Sequence, residues 1–208
     1  MTEPRLHVLH ALRLRGLATD TGVADATGLP AALVGELLAQ LLAEGLASQR
    51  SGRMPGFTLT AQGKAEHAAR IATDLPAGAR PGVDKGYDAF LPLNAAFKQL
   101  CTEWQLRPTA DGATVPNDHA DAGYDAAIVE RLGVIHGDVA PVLADVAHNA
   151  ARFGRYQPRL ASALDRVRTG DRAAFARPLS DSYHDVWMEL HEDFLLSLGR
   201  SRDRADGD

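Results

Sequence analysis

The stretch "LPAALVGELLAQLLAEG", residues 29–45, constrains the fold more than any other in the chain. Leu33, Leu37, Leu38, Leu41 and Leu42 recur at helical spacing and form one apolar stripe. Pro30 stands at a first helical position and Gly45 just past the last, where each residue type is favoured. Such a stripe must be covered, so the neighbouring segments have to supply a matching surface. Leu6, Leu9, Leu12 and Leu14 repeat through a first helix over about 4–15, which Gly16 ends. Thr19 or Asp20 caps a short second helix across "DTGVADATG", closed by Gly28. Beyond the leucines, residues 46–50 and 57–60 alternate as two short strands around "SGRMPG", a turn supplied by Gly52, Pro55 and Gly56. Thr60 then caps a helix running to about residue 73.

Helix, helix, helix, hairpin, helix is the element order of a winged helix-turn-helix, with the hairpin as the wing. The stretch "TGLPAALVGELLAQLLAEGLASQRSGRMPGFTLTAQGKAEH" resembles the core of bacterial MarR-type and related winged-helix transcription regulators. In that pattern a leucine-rich third helix ends in Glu-Gly-Leu, and an arginine-bearing wing runs into Leu-Thr-x-x-Gly. The resemblance covers about a third of the chain and implies binding to double-stranded DNA. The wing residues are Gln49, Arg50, Ser51 and Arg53, and an arginine on a hairpin tip reaches phosphates or a narrow minor groove. The third helix departs from the pattern. With its leucines buried, Ala31, Ala32, Gly35, Glu36, Ala39 and Gln40 face outward. Only Gln40 offers base readout, towards adenine, and none is Arg, Lys or Asn. That face suits shape fit, weak specificity or a protein partner.

Charge agrees with a local rather than a global nucleic-acid surface. The net charge is −5, yet residues 1–70 carry 7 Lys and Arg against 6 Asp and Glu, leaving the acidic surplus in the remainder. DNA binding by such a chain needs a local patch, or two copies of it in a homodimer.

The segment "DLPAGARPGVDKG" concentrates Pro, Gly and charge and reads as a linker, so the expected division is 1–74 winged helix, 75–86 linker, 87–199 helical bundle and 200–208 polar tail. The fold class is therefore mainly α. Tyr87, Phe90, Leu91, Phe97, Leu100, Cys101 and Trp104 share a helix face over about 87–106, with Asn94 near it, and residues 107–123 form a loop. A long helix follows over about 124–152, kinked or split at Gly137 and Pro141. Pro158 opens a shorter helix, and Tyr183, Val186, Trp187, Leu190, Phe194 and Leu198 stripe a last one over about 179–198.

The bundle's expected roles are dimerisation and effector binding. Arg152, Arg155 and Arg159 interleave with Phe153 and Tyr156 in a stretch, 150–177, holding seven Arg against two Asp. With Trp104, Tyr183, His184 or Trp187 they would make a pocket for a small carboxylate or phosphate effector. A solvated arginine face balanced by nearby acids and a second DNA-contacting surface remain open as readings. His184, Met188 and His191 share a helix face, and Asp118, His119, His136 or His148 would complete a metal site like that of some GntR-type effector domains. No pair has the tight His-x-x-x-His spacing, so no metal or other cofactor is expected. "YDAFLPLNAAFKQLCTEWQLRP", "NDHADAGYDAAIVERL", "RYQPRLASALDRV" and "SYHDVWMELHEDFLLSLG" also resemble a helical module found with a winged helix in proteins associated with pyruvate phosphate dikinase-like, phosphoenolpyruvate-utilising enzymes. That resemblance implies a regulatory or protein-interaction role near such an enzyme; kinase activity is not carried over.

Enzyme motifs are missing: there is no Gly-rich phosphate loop, no G-x-S-x-G elbow and no H-E-x-x-H. A non-enzymatic, cytoplasmic protein is expected, because the apolar runs fall short of a membrane span and the first residues lack a secretory signal. The single cysteine, Cys101, excludes an internal disulfide and reads as a small buried hydrophobe.

Overall fold

In the computed structural model, which describes residues 3–109 and 112–200, α1 (Pro4–Arg15) buries Leu6, Val8, Leu9, Ala11 and Leu12 and stops at Gly16. Helix α2 (Asp20–Thr27) is capped by the Thr19 hydroxyl, which accepts from the Gly22 N–H, and ends at left-handed Gly28. Helix α3 (Ala31–Ala43) buries Val34, Leu37, Leu38 and Leu41, with Leu33 and Leu42 partly covered at the stripe's edges. Pro30 is its capping residue rather than its first helical one. Each fully covered leucine contributes about 1.5–3 kcal/mol, so this stripe anchors the first apolar core.

Strands β1 (Ala47–Arg50) and β2 (Gly56–Leu59) pair antiparallel, with Ala47 opposite Leu59 and Arg50 opposite Gly56. Ala18, between α1 and α2, adds a bridge to this hairpin: it donates its N–H to the Phe57 carbonyl (3.1 Å) and accepts from the Phe57 N–H (2.7 Å). The sequence "LTAQG" then has a physical explanation. Leu59 is buried, and Thr60 caps α4 (Ala61–Ile71) by accepting from the Gly63 N–H while its hydroxyl donates to the Gly45 carbonyl at 2.8 Å. A Cβ on Gly63 would lie 1.9 Å from the Leu46 carbonyl oxygen. Only glycine lets α4 sit this close to the strand that leaves α3.

The second half differs from expectation at several joins. Helix α5 (Arg80–Gln105) begins at Arg80 rather than Tyr87, so much of the expected linker is helix. Pro81 is tolerated in the first turn. The glycines there serve packing: a Cβ on Gly86 would meet Val146 at 2.1 Å, across the contact with α6 (Ala122–Asn149). Helix α6 runs unbroken through Gly137 and Pro141, both of which face solvent. The carbonyl that Pro141 deprives of a donor is therefore open to water, and the helix continues. Between α5 and α6, β3 (Leu106–Pro108) and β4 (Thr114–Pro116) pair as a second small hairpin within the expected loop. After a 3-10 turn (Ala151–Arg155) come α7 (Tyr156–Arg168), the short α8 (Ala173–Ala176) and α9 (Tyr183–Leu198). Helix α9 starts later than the apolar pattern suggests because Leu179 and Asp181 hold positive φ and Ser182 and Asp185 form a capping box.

Two apolar cores result. Phe90, Phe97, Leu132, Val139, Phe153, Leu164, Trp187 and Phe194 belong to the larger one. Helices α1 and α4 of the first unit lie against α9 of the second. Of the expected polar tail, residues 201–208 lie outside the described residues. Among the described residues no single helix is long and apolar enough to cross a membrane.

Candidate functional site

Between the two cores lies a buried ionic layer. Asp193 on α9 sits at its centre, 3.0 Å from His10 Nε2 and 3.3 Å from Arg152 Nε, and it accepts from the Tyr156 hydroxyl at 2.9 Å and the Ser197 hydroxyl at 2.8 Å. Burial alone would raise the Asp193 carboxyl, but Arg152 and then His10 hold it well below the usual carboxylate range. Arg152 also reaches Asp74 at 2.5 Å. His67 of α4 meets His10 through a 2.9 Å Nε2–Nδ1 contact, and burial pushes the His67 imidazole down to about 3, helped by the nearby His10. One turn earlier on α9, Glu189 takes Arg159 at 2.7 Å and Arg15 at 3.0 Å, while Asp181 takes Arg15 and, at 3.2 Å, Arg159. These pairs join α1 to α7 and α9, and α4 joins the layer through the His67 contact with His10.

Of the residues expected to hold an effector, Arg152, Arg155 and Arg159 line one small pocket of about 40 Å³ with Tyr156, Glu189 and Asp193, whereas Trp104, Tyr183, His184 and Trp187 lie outside it. Arg152 and Arg159 are engaged by carboxylates of the same chain. Arg155 lies over Gly28 and donates to the Asp25 carbonyl at 3.4 Å. Trp104 stacks on Phe175 with ring centres 4.3 Å apart and also touches His119. Tyr183 and Trp187 are fully buried, and the Trp187 indole N–H donates to Asn94 Oδ1 at 2.9 Å. Asn94 is therefore a buried core residue whose side-chain oxygen is engaged within the fold. Of the seven, only His184 borders the large cleft described below. Cys101 is half-buried, and burial pushes its thiol up to about 12, so it has no thiolate character near neutral pH.

The outward face of α3 is as the sequence indicates: Ala31, Ala32, Gly35, Glu36, Ala39 and Gln40 are all exposed. Gln49, Arg50, Ser51 and Arg53 are exposed on the adjoining hairpin. The first unit has six arginines. Arg5 pairs with Glu44, Arg13 with Glu192, Arg15 with Asp181 and Glu189, and Arg70 with Glu3 and Glu66. Among the described residues Arg50 and Arg53 make no ion pair. Both remaining arginines therefore stand on the hairpin, with their charges available to a partner.

A cleft of about 610 Å³ separates the hairpin tip from α9. Met54 and Pro55 line it from the hairpin, Leu14, Leu17 and Ala18 from α1 and the following turn, and Leu179, His184 and Met188 from the segment entering α9 and from α9 itself. Desolvation lowers the His184 imidazole, so it is neutral near pH 7. The sequence reading missed this cleft. Its signal was an apolar residue among turn formers, Met54 in "SGRMPG" and Leu179 in "RPLSDS", but nothing in either stretch says that the two converge. Among the described residues no three His, Cys, Asp or Glu side chains gather in a group that would hold a metal ion. His191 lies against Tyr87 and Phe90 in the larger core, whereas His184 borders the cleft. Compared with protein-family models, with curated proteins and with solved structures, the chain finds no match in any of the three.

Proposed function

We propose that the chain is a DNA-binding transcriptional regulator whose first unit is a winged helix, acting as a homodimer. The observation that carries this reading is the distribution of free arginine charge. Four of the unit's six arginines are ion-paired and the other two lie together on the hairpin, where a wing meets phosphate. Lys64, exposed on α4, adds a third cation. Three cations per protomer make a modest electrostatic footprint, which supports doubling it in a dimer. An anionic effector at Arg152 or Arg159 would have to displace Asp74, Asp193, Asp181 or Glu189, so those arginines are better read as structural, Arg152 tying Asp74 to Asp193 and Arg159 sharing Asp181 and Glu189 with Arg15.

The test is fluorescence anisotropy of the full chain on its own upstream DNA, against scrambled DNA, across a salt series. Each phosphate neutralised contributes about −0.9 to the slope of log K on log salt, so three cations predict about −2.7 for one protomer and about −5 for a dimer. The Arg50→Ala/Arg53→Ala variant should bind several-fold more weakly, with a slope shallower by about 1.8 per protomer. An unchanged slope removes the hairpin from DNA binding.

The α3 face favours a second reading. It presents Glu36 and small side chains, with no Arg, Lys or Asn, which fits a protein-docking surface such as that of a module regulating a phosphoenolpyruvate-utilising enzyme. Weak DNA binding without sequence preference, together with capture of one stoichiometric enzyme partner, would select it.

A further inference from the structure

Two of the four large apolar side chains exposed among the described residues, Met54 at 47% and Leu179 at 64%, border the same cleft. Leu14, Leu17, Pro55 and Met188 extend its apolar lining. Exposed apolar side chains that converge on a concavity of about 610 Å³ describe a site for a small organic molecule better than they describe an open surface.

The charged part of the lining sets the sign of that molecule. Asp181, Asp185, Glu189 and Glu192 face the cleft against only Arg13 and Arg15. Arg13 takes Glu192 at 3.2 Å. Arg15 and Arg159 together take Asp181 and Glu189. Among the described residues, that leaves Asp185 as the one carboxylate facing the cleft without a side-chain cation. Its Oδ2 accepts the backbone N–H groups of Ser180 and Ser182. His184 beside it is neutral near pH 7 and adds no competing positive charge. We propose that the cleft between the hairpin tip and α9 binds an organic cation with an apolar body, seated on Met54, Leu17, Leu179 and Met188. The charge of the molecule lies toward Asp185. The proposal concerns binding alone and stands whether or not the hairpin meets DNA. Because its lining comes from both units, an occupant would bridge the hairpin to the bundle.

Tetraphenylphosphonium and tetraphenylborate provide the test, being alike in shape and opposite in charge. Each is titrated calorimetrically into the full chain in sodium buffer. The expected result is saturable one-to-one binding of tetraphenylphosphonium, with tetraphenylborate at least about tenfold weaker. The Met54→Ala/Leu179→Gly variant should lose about tenfold in affinity for the cation. Both side chains are exposed, and glycine suits the positive φ at position 179, so an unchanged circular dichroism melt is expected alongside. Equal binding of the two ions, an affinity unmoved in the variant, or no saturable binding of the cation each overturns the proposal.

Discussion

Asp193 shows how one carboxylate organises the join between two units. It is almost completely buried on the apolar side of α9, and a lone charge there would be costly. Arg152, His10, Tyr156 and Ser197 together satisfy it. Removing one partner of such a buried set strands the others, so Arg152→Ala should cost about 3–5 kcal/mol in urea unfolding. A cost below about 1 kcal/mol would mean that the layer is dispensable. His67 adds a pH dependence whose sign follows from its lowered imidazole. Between its ordinary value, about 6.5, and about 3, the unfolded chain takes up a proton that the folded chain refuses. The His67 contribution is therefore complete above about pH 6.5 and is lost as pH falls through that window. Thermal melts from pH 7 to 4.5 should show a falling Tm, and the His67→Gln variant should give a flatter profile. Superimposable profiles would assign the acid sensitivity to other groups.

At the scale of elements, the Leu59–Gly63 corner is where local sequence and packing coincide. Thr60 caps α4 and ties back to the Gly45 carbonyl, and Gly63 admits the Leu46 carbonyl. Alanine is the better helix former, so an exposed glycine-to-alanine change would stabilise the helix. Here the added methyl would overlap backbone, and Gly63→Ala should instead destabilise by about 1–3 kcal/mol as α4 is pushed from the hairpin. A Tm at or above that of the parent would show that α4 yields freely. Helix α6 makes the opposite point. Gly137 and Pro141 look like breaks in one dimension, and they are harmless because both fall on the solvent side. A breaker's effect depends on which face of the helix it occupies, and that phase is unreliable when helix starts are uncertain.

Across the whole molecule, the charges divide between pairs that hold the two units together and cations that remain free at the surface. Arg13 and Arg15 on α1 bind Glu192, Asp181 and Glu189 on the α9 side, and Arg152 ties Asp74 to Asp193, leaving, among the described residues, the hairpin arginines and Lys64 as the free positive charge of the first unit. The salt slope is the property that reports this division, since internal pairs contribute nothing to it. A slope near −5, falling by about 1.8 per protomer in the hairpin variant, matches a dimer with only its hairpins and α4 cations engaged. The same division separates the two candidate surfaces. The hairpin carries its free arginines, Arg50 at the end of β1 and Arg53 in the turn, toward solvent, and the same turn carries Met54 and Pro55 to the cleft.

The sequence by itself determined the leucine stripe of α3, the three-helix, hairpin, helix order, the outward residues of α3 and the exposure of Arg50 and Arg53. All of these follow from periodicity, caps and turn residues, which act over a few positions. Only the tertiary structure decided what Arg152, Arg155 and Arg159 do. The acidic partners of Arg152 and Arg159 (Asp74, Asp181, Glu189 and Asp193) are distant in sequence, as is the Asp25 carbonyl that Arg155 reaches, and the apolar stripe of α9 conceals which of its acids point inward. Gly82 and Gly86, read as linker, proved to be contact points because α6 packed against them, and the cleft exists only where a turn meets the start of α9. Local propensity is written in neighbouring residues. Ion pairing and concavity depend on the separation of groups in space, and that separation is set when the two cores dock.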